Sequence, residues 1–254
     1  MMSLNYKVVG KGEPVFILHG LFGMLDNWHT FARELAQDYE VYIIDQRNHG
    51  RSLHSQDFDY HLLSQDLNDF MLEHNIGKAH IIGHSMGGKT VMQFASDNVD
   101  KVHSLCVIDI APKAYQASHL EFFEAIRNLD LNKIDNRKDA DFLLSKLISS
   151  KGIRLFLLKN LSRTPNGWKW KANFDSLFHN YNKILGTVDI PTAISIPSLF
   201  VYSESSGYIL ESDIEQIKES FTQSSFQSLN AGHWIHAEQP QQLLALLRNH
   251  LKKS

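Results

Sequence analysis

Short, unbroken apolar runs punctuate the first half of the chain at residues 15–18, 41–44, 79–82 and 105–108, each ended by polar or glycine residues. A strand buried on both faces reads this way, because neither side of its pleat meets water. Segments 28–36, 62–74 and 86–95 lie between these runs, and Leu62, Leu63, Leu67, Phe70 and Met71 fall on one face at helical spacing. Strand alternating with helix predicts a doubly wound, mostly parallel α/β sheet. The pattern resumes near the end, with strand candidates at 198–202 and 226–229 and a helix at 241–251 opening after Pro240.

Between these two stretches the texture changes. Residues 112–186 are charged and helical in character and hold no strand candidate of comparable quality. The expected organisation is a core of residues 1–111 and 187–254 carrying a helical cap at 112–186. The aromatic residues of that insertion, among them Tyr115, Phe122, Phe123, Phe142, Phe156, Trp168, Trp170, Phe174, Phe178 and Tyr181, are expected mostly to pack its helices together.

Within this frame, Gly83-His84-Ser85-Met86-Gly87-Gly88 runs from the third strand candidate into a helix-forming stretch. Gly-x-Ser-x-Gly in that context predicts a sharp turn exposing a nucleophilic serine, with small neighbours letting strand and helix approach. A serine hydroxyl is protonated at neutral pH and needs a base within hydrogen-bond reach. Of the 14 histidines, His233 lies in a loop between the last strand candidate and the last helix, the place for a base in the chain order Ser, acid, His; His236 is the nearest competitor. The turn His19-Gly20-Leu21-Phe22-Gly23 follows the first strand candidate. Main-chain N–H groups of Leu21 there and of Met86 after the serine are the candidate oxyanion donors.

The acid is less plain from the residues alone. The loop after 198–202 reads Ser203-Glu204-Ser205-Ser206-Gly207, with no aspartate before Asp213, which sits in a helical stretch. Two carboxylates compete: Glu204, close to that strand end, and Asp109, at the tip of the fourth strand candidate, where a carboxylate can be aimed at His233. Ser206 is a candidate for an accessory hydrogen bond.

Composition narrows the partners. The 254 residues suffice for one buried core without disulfides or metals. A net charge of −3, with 21% charged residues, leaves no basic footprint for nucleic acid or an anionic membrane. The lone Cys106, in an apolar run, reads as a buried thiol suited to a reducing compartment. No leader-like apolar segment opens the chain and none approaches the roughly 18 residues of a membrane span, so a cytoplasmic protein is expected. Residues 45–52 are expected to brace neighbouring turns, and Lys89 and Arg127 to be solvated surface charges.

Taken together, His19-Gly-Leu-Phe-Gly23, Asp45-Gln-Arg47-Asn-His49-Gly50-Arg51-Ser52, Gly83-His-Ser-Met-Gly-Gly88, Asp109-Ile-Ala-Pro112 and Gly232-His-Trp234 resemble the YbfF-like esterases of the α/β-hydrolase superfamily. The likeness covers most of the chain and is weakest in the insertion. It implies Asp109 as the acid, Ser206 as accessory, no cofactor, and hydrolysis of small-molecule, short-chain acyl esters or of acyl thioesters such as acyl-CoA. Peptide, carbon–carbon or perhydrolase chemistry on the same scaffold, and a ligand receptor without turnover, are the rival readings.

Overall fold

The computed structural model describes residues 2–253. Seven strands form one sheet: β1 (Tyr6–Gly10), β2 (Glu13–Leu18), β3 (Tyr39–Ile44), β4 (Ala79–His84), β5 (Val102–Ile108), β8 (Ser198–Ser203) and β9 (Ser224–Leu229), in the order β1-β3-β2-β4-β5-β8-β9. All pairs are parallel except β1 with β3. Helices α1 (His29–Leu35) and α11 (Pro240–Leu251) cover one face; α2 (Tyr60–Glu73), α3 (Met86–Asp97) and α9 (Glu211–Ser220) cover the other.

Alternation along each central strand explains the apolar runs. In β2, Phe16 and Leu18 join the α2/α3 core while Val15 and Ile17 join the α1/α11 core; in β5, Leu105 and Val107 face one way, Cys106 and Ile108 the other. Cys106 is buried, as its run implied. Edge strand β1 was not read from sequence, because its residues are mostly exposed and lack an apolar run.

Between β5 and β8 the chain forms α4 (Leu120–Arg127), α5 (Arg137–Leu144), α6 (Lys151–Leu158), α7 (Phe174–His179) and α8 (Tyr181–Leu185). It also forms a two-stranded antiparallel hairpin, β6 (Leu161–Thr164) with β7 (Gly167–Trp170), so the insertion expected to be helical is not wholly so. The strands escaped notice because each is four residues long, interrupted by charge and turned at Gly167, whose φ is +118°. These elements share a third core with Phe22, Phe58, Tyr60, Leu63 and Met86. The short α10 (Ile235–Glu238) lies between β9 and α11, and no helix among the described residues is long and apolar enough to cross a membrane.

Candidate active site

Sheet register gathers the site. Leu18 pairs with Gly83, His84 with Ile108, Ile108 with Val201, and Ser203 with Leu229. The residues just past these pairs therefore leave the same edge of adjacent parallel strands: the turn 19–23, Ser85, Asp109, and the loop carrying His233.

Among the described residues, three of the five non-glycine positions with positive φ lie here, Phe22 (62°), Ser85 (53°) and Asp109 (52°). Such conformations cost on the order of 1–3 kcal/mol each and persist only where surroundings impose them. At Ser85 the cause is close approach of β4 and α3: a Cβ on Gly83 would lie 2.3 Å from the Gly87 carbonyl oxygen, and one on Gly87 2.5 Å from that of Leu18. Only glycine fits either position.

The structure brings Ser85, His233 and Asp109 together. Ser85 Oγ is 2.9 Å from His233 Nε2, and His233 Nδ1 is 2.8 Å from Asp109 Oδ2. Asp109 is fully buried, and its Oδ1 accepts from the Ser203 N–H and the Ser206 hydroxyl, both at 2.9 Å. With the carboxylate accepting throughout, Nδ1 of His233 carries the proton and Nε2 is free to accept from Ser85. Tyr208 stacks on the imidazole at 3.9 Å between ring centroids, and His84 Nε2 donates to the His233 carbonyl at 2.9 Å. Ser205 Oγ, at 2.8 Å, and Ser203 Oγ both donate to the Ala231 carbonyl, tying the His233 loop to the tip of β8.

Glu204 is not part of this group: it is exposed, and its carboxylate accepts from Ser228 Oγ at 3.0 Å. His236 stacks on Trp28 at 4.7 Å and reaches neither Ser85 nor Asp109 through a hydrogen bond; burial lowers its pKa to about 4.

The turn 20–23 closes with Gly23 N–H donating to the Gly20 carbonyl at 2.9 Å. Two buried, neutral histidines brace it. His19 Nε2 accepts from Gln46 N–H at 3.1 Å, which leaves Nδ1–H to donate to the Gly20 carbonyl at 2.8 Å. His49 Nε2 accepts from Phe22 N–H at 3.3 Å, and its Nδ1–H donates to the Arg47 carbonyl at 2.9 Å. Desolvation by burial lowers the first to about 4 and the second to about 3. Neither Leu21 N–H nor Met86 N–H donates to any described residue, and both residues border the cavity at Ser85.

Residues 45–52 brace their surroundings, as expected. Asp45 accepts from the N–H groups of Leu25 (2.7 Å) and Arg51 (2.9 Å), and Arg47 forms a buried two-pronged ion pair with Asp66 at 2.6 and 2.7 Å.

Lys89 overturns its expectation as a surface charge. It is 1% exposed, and its ammonium donates to the carbonyls of Lys113 (2.7 Å), Leu185 (3.2 Å) and Gly186, with the Tyr115 ring at 4.8 Å. Burial pulls its pKa down to about 7. Its charge and its place in the first turn of α3 gave no sign of this, because its partners are main-chain oxygens. Arg127 is exposed, as expected.

His119 was missed as well. Tyr181 Oη accepts from the N–H groups of Ser118 (3.2 Å) and His119 (3.0 Å), so its own proton goes to His119 Nδ1 at 2.9 Å. That fixes His119 as the Nε2–H tautomer, with burial lowering its pKa to about 4. The ring borders the cavities on both sides of Ser85. Of the insertion's aromatics, Tyr115, Phe122, Phe156 and Tyr181 also border these cavities, Phe123 and Phe174 pack in the third core, and Phe142 is exposed.

A mostly parallel sheet with a serine on the strained turn after β4 defines an α/β hydrolase. The model of the alpha/beta hydrolase fold matches residues 13–240, and the chain belongs to that family. It is 35% identical to esterase YbfF of Escherichia coli K12, over 95% of this chain and 94% of the relative, so the likeness to YbfF-like esterases holds along almost the whole length. It is 36% identical to the sn-1-specific diacylglycerol lipase ABHD11 of Danio rerio, over 94% of this chain and 79% of that protein. The solved structure of a marine microorganism esterase matches with a TM-score of 0.96 at 40% identity, covering 98% of this chain and all of the other.

Proposed function

We propose that this chain is a serine esterase in which Ser85 is the nucleophile, His233 the general base and Asp109 the acid that orients it. The observation that carries this reading is the hydrogen-bond relay from Ser85 Oγ through both His233 nitrogens to a buried carboxylate. As Ser85 Oγ bonds to the carbonyl carbon of a small-molecule carboxylic ester, its proton passes to His233 Nε2. The Leu21 and Met86 N–H groups stabilise the oxyanion, each worth roughly 3–4 kcal/mol in related chemistry. The carbon–alkoxy bond then breaks, the leaving oxygen takes the proton from Nε2, and an acyl-enzyme remains. Water, deprotonated by the same nitrogen, attacks the acyl carbon; the acid leaves and Ser85 recovers its proton. Ser206, with Ser203 N–H, stabilises the Asp109 carboxylate while His233 is positively charged.

Acyl thioesters, acyl-CoA among them, suit the same steps, since a thiolate leaves with less help from an acid. Residues 112–186 act in this scheme as a cap over a core of 1–111 and 187–254, and the lone buried thiol suits a reducing, cytoplasmic setting. The test is covalent labelling by a fluorophosphonate, with steady-state hydrolysis of p-nitrophenyl esters and acyl-CoAs. The wild-type protein is expected to label and turn over, and Ser85→Ala to do neither, losing ~10⁴-fold or more in kcat with its fold intact. Labelling or turnover that survives in Ser85→Ala would sink the proposal.

A further inference from the structure

Ser85 stands on the wall between two cavities that share Leu21, Ser85 and His119. The smaller, of about 30 Å³, is bordered by Gly20, Trp28, Phe156, His233 and Trp234. The larger, of about 260 Å³, is bordered by Met86, Lys89, Tyr115, Ile184, Leu185 and Tyr208. His233 borders only the first and Met86 only the second.

We infer that the larger cavity holds an uncharged acyl chain of medium length and that the smaller one, with room on the same scale for about one carbon, receives the leaving oxygen and the first atoms of the alcohol. The inference rests on the serine esterase reading and names which half of the ester lies on each side. At the tetrahedral centre four substituents must be placed. One is Ser85 Oγ, and one is the oxyanion, directed at the Leu21 and Met86 N–H groups. The leaving oxygen must take its proton from His233 Nε2, so it lies on the His233 side, over the smaller cavity. The acyl carbon chain is left with the opposite side, against Met86 and α3.

Volume and charge then define the chain. A cavity of about 150 Å³ holds the six carbons of benzene, so about 260 Å³ takes an acyl chain on the order of ten carbons. Among the described residues bordering this cavity, Lys89 is the one lysine, arginine or acidic residue, and its ammonium hydrogens already point at three main-chain carbonyls. A carboxylate on the acyl chain would enter a largely apolar space in which the unengaged donors, His119 Nε2–H among them, are neutral and the one lysine is already committed, at a cost of several kcal/mol. The cavity therefore selects against dicarboxylic half-esters.

The experiment measures kcat/KM over two series: p-nitrophenyl acetate to dodecanoate, and acetate esters from methyl to hexyl. Leu185 and Ile153 are half-buried and border the larger and the smaller cavity, respectively. Leu185→Trp is expected to lower the octanoate-to-acetate ratio by ~10-fold or more and leave the hexyl-to-methyl ratio unmoved. Ile153→Trp is expected to do the reverse. If Leu185→Trp melts below assay temperature, Leu185→Phe repeats the test with a smaller fill. In the wild type, p-nitrophenyl octanoate is expected to exceed the mono-p-nitrophenyl ester of suberic acid by ~100-fold or more. Crossed responses, ratios unmoved in both variants, or a preference for the suberate half-ester would each overturn the inference while leaving Ser85-dependent hydrolysis standing. Absence of Ser85-dependent hydrolysis in every series would instead defeat the esterase reading itself.

Discussion

The tips of the central strands and the segment between β5 and β8 are held in place by different physics. At the strand tips, main-chain pairing fixes the spacing of Leu18, His84, Ile108 and Val201, and flanking residues are driven into left-handed backbone that packing enforces. The intervening segment has short helices and leaves Phe142, Leu147 and Leu155 at least half exposed. Besides its apolar contact through Phe22, Phe58, Tyr60, Leu63 and Met86, it is tied down by single polar contacts. Asn160 Nδ2 donates to the Phe22 carbonyl at 2.7 Å, Tyr60 Oη to that of Ile184 at 2.6 Å, and Lys89 spans both crossings of the chain. In the proposed reading the difference is a division of labour: the geometry that chemistry demands comes from the sheet, and the geometry that selects substrate comes from the intervening segment.

The sharpest way to break that division is at the acid. Asp109→Asn keeps shape but replaces an accepting oxygen by an amide that favours the wrong histidine tautomer, and kcat is expected to fall by ~10²–10⁴-fold. Glu204→Gln, exposed just past the end of β8, is expected to stay within ~2-fold. Steady-state kinetics on one ester ranks the pair. The reverse order would move the orienting carboxylate out of the sheet tip and into a surface loop.

Lys89→Met tests the joint between the two regions. It leaves the carbonyls of Lys113 and Gly186 without their donor, while that of Leu185 keeps the Tyr115 N–H at 2.9 Å, and an unpaired buried acceptor costs roughly 1–3 kcal/mol. The expected result is a melting temperature lower by ~5–10 °C, faster proteolysis within residues 112–186, and a larger rise in KM than fall in kcat. A fall in kcat alone would place Lys89 with the chemistry instead.

The sequence showed these regions unequally, and the reason is physical. Strands buried on both faces must be apolar at every position, so β2, β3, β4 and β5 were plain, as was the serine turn, whose glycines answer a steric demand written in the chain itself. Asp109 and Glu204 remained open on the residues alone, because a loop sequence does not say which strand tips adjoin; the register of β4 with β5 and β5 with β8 supplies that. Lys89 and His119 were hidden for a related reason. Lys89 meets main-chain oxygens, which every residue carries, and His119 depends on Tyr181, 62 positions away. The hairpin of β6 and β7 is too short to impose a pattern.

Acid should reach the turn bearing Leu21 through its bracing histidines. His19 and His49 titrate at about 4 and about 3 in the folded chain, against an ordinary value of 6.5. Below pH 6.5 the unfolded chain binds protons that the folded one does not. Each of these two groups then removes up to about 1.4 kcal/mol of stability per pH unit until its folded pKa is reached. Chemical denaturation between pH 7 and 4.5 is expected to show stability falling with pH, and His49→Gln, which removes one of these groups, a shallower fall. An unchanged slope in His49→Gln would mean that the bracing histidine takes up its proton without loss of the fold.

The smallest effect is expected from the other cation of the comparison. Arg127 lies on α4 with its side chain 53% exposed, its Nε 3.9 Å from an Asp175 carboxylate that is 87% exposed, and its guanidinium 4.9 Å from the Phe178 ring. Water and salt screen such a pair, and exposed pairs contribute ~0–1 kcal/mol. Arg127→Ala is therefore expected to shift the melting temperature by no more than ~2 °C and kcat/KM by no more than ~2-fold across the acyl series. Lys89 and Arg127 are both basic side chains, yet one joins the chain's two crossings to α3 and the other lies against solvent. A change in acyl preference on removing Arg127 would show that the outer surface of the intervening segment also selects substrate, and that its selectivity is not confined to the cavity walls.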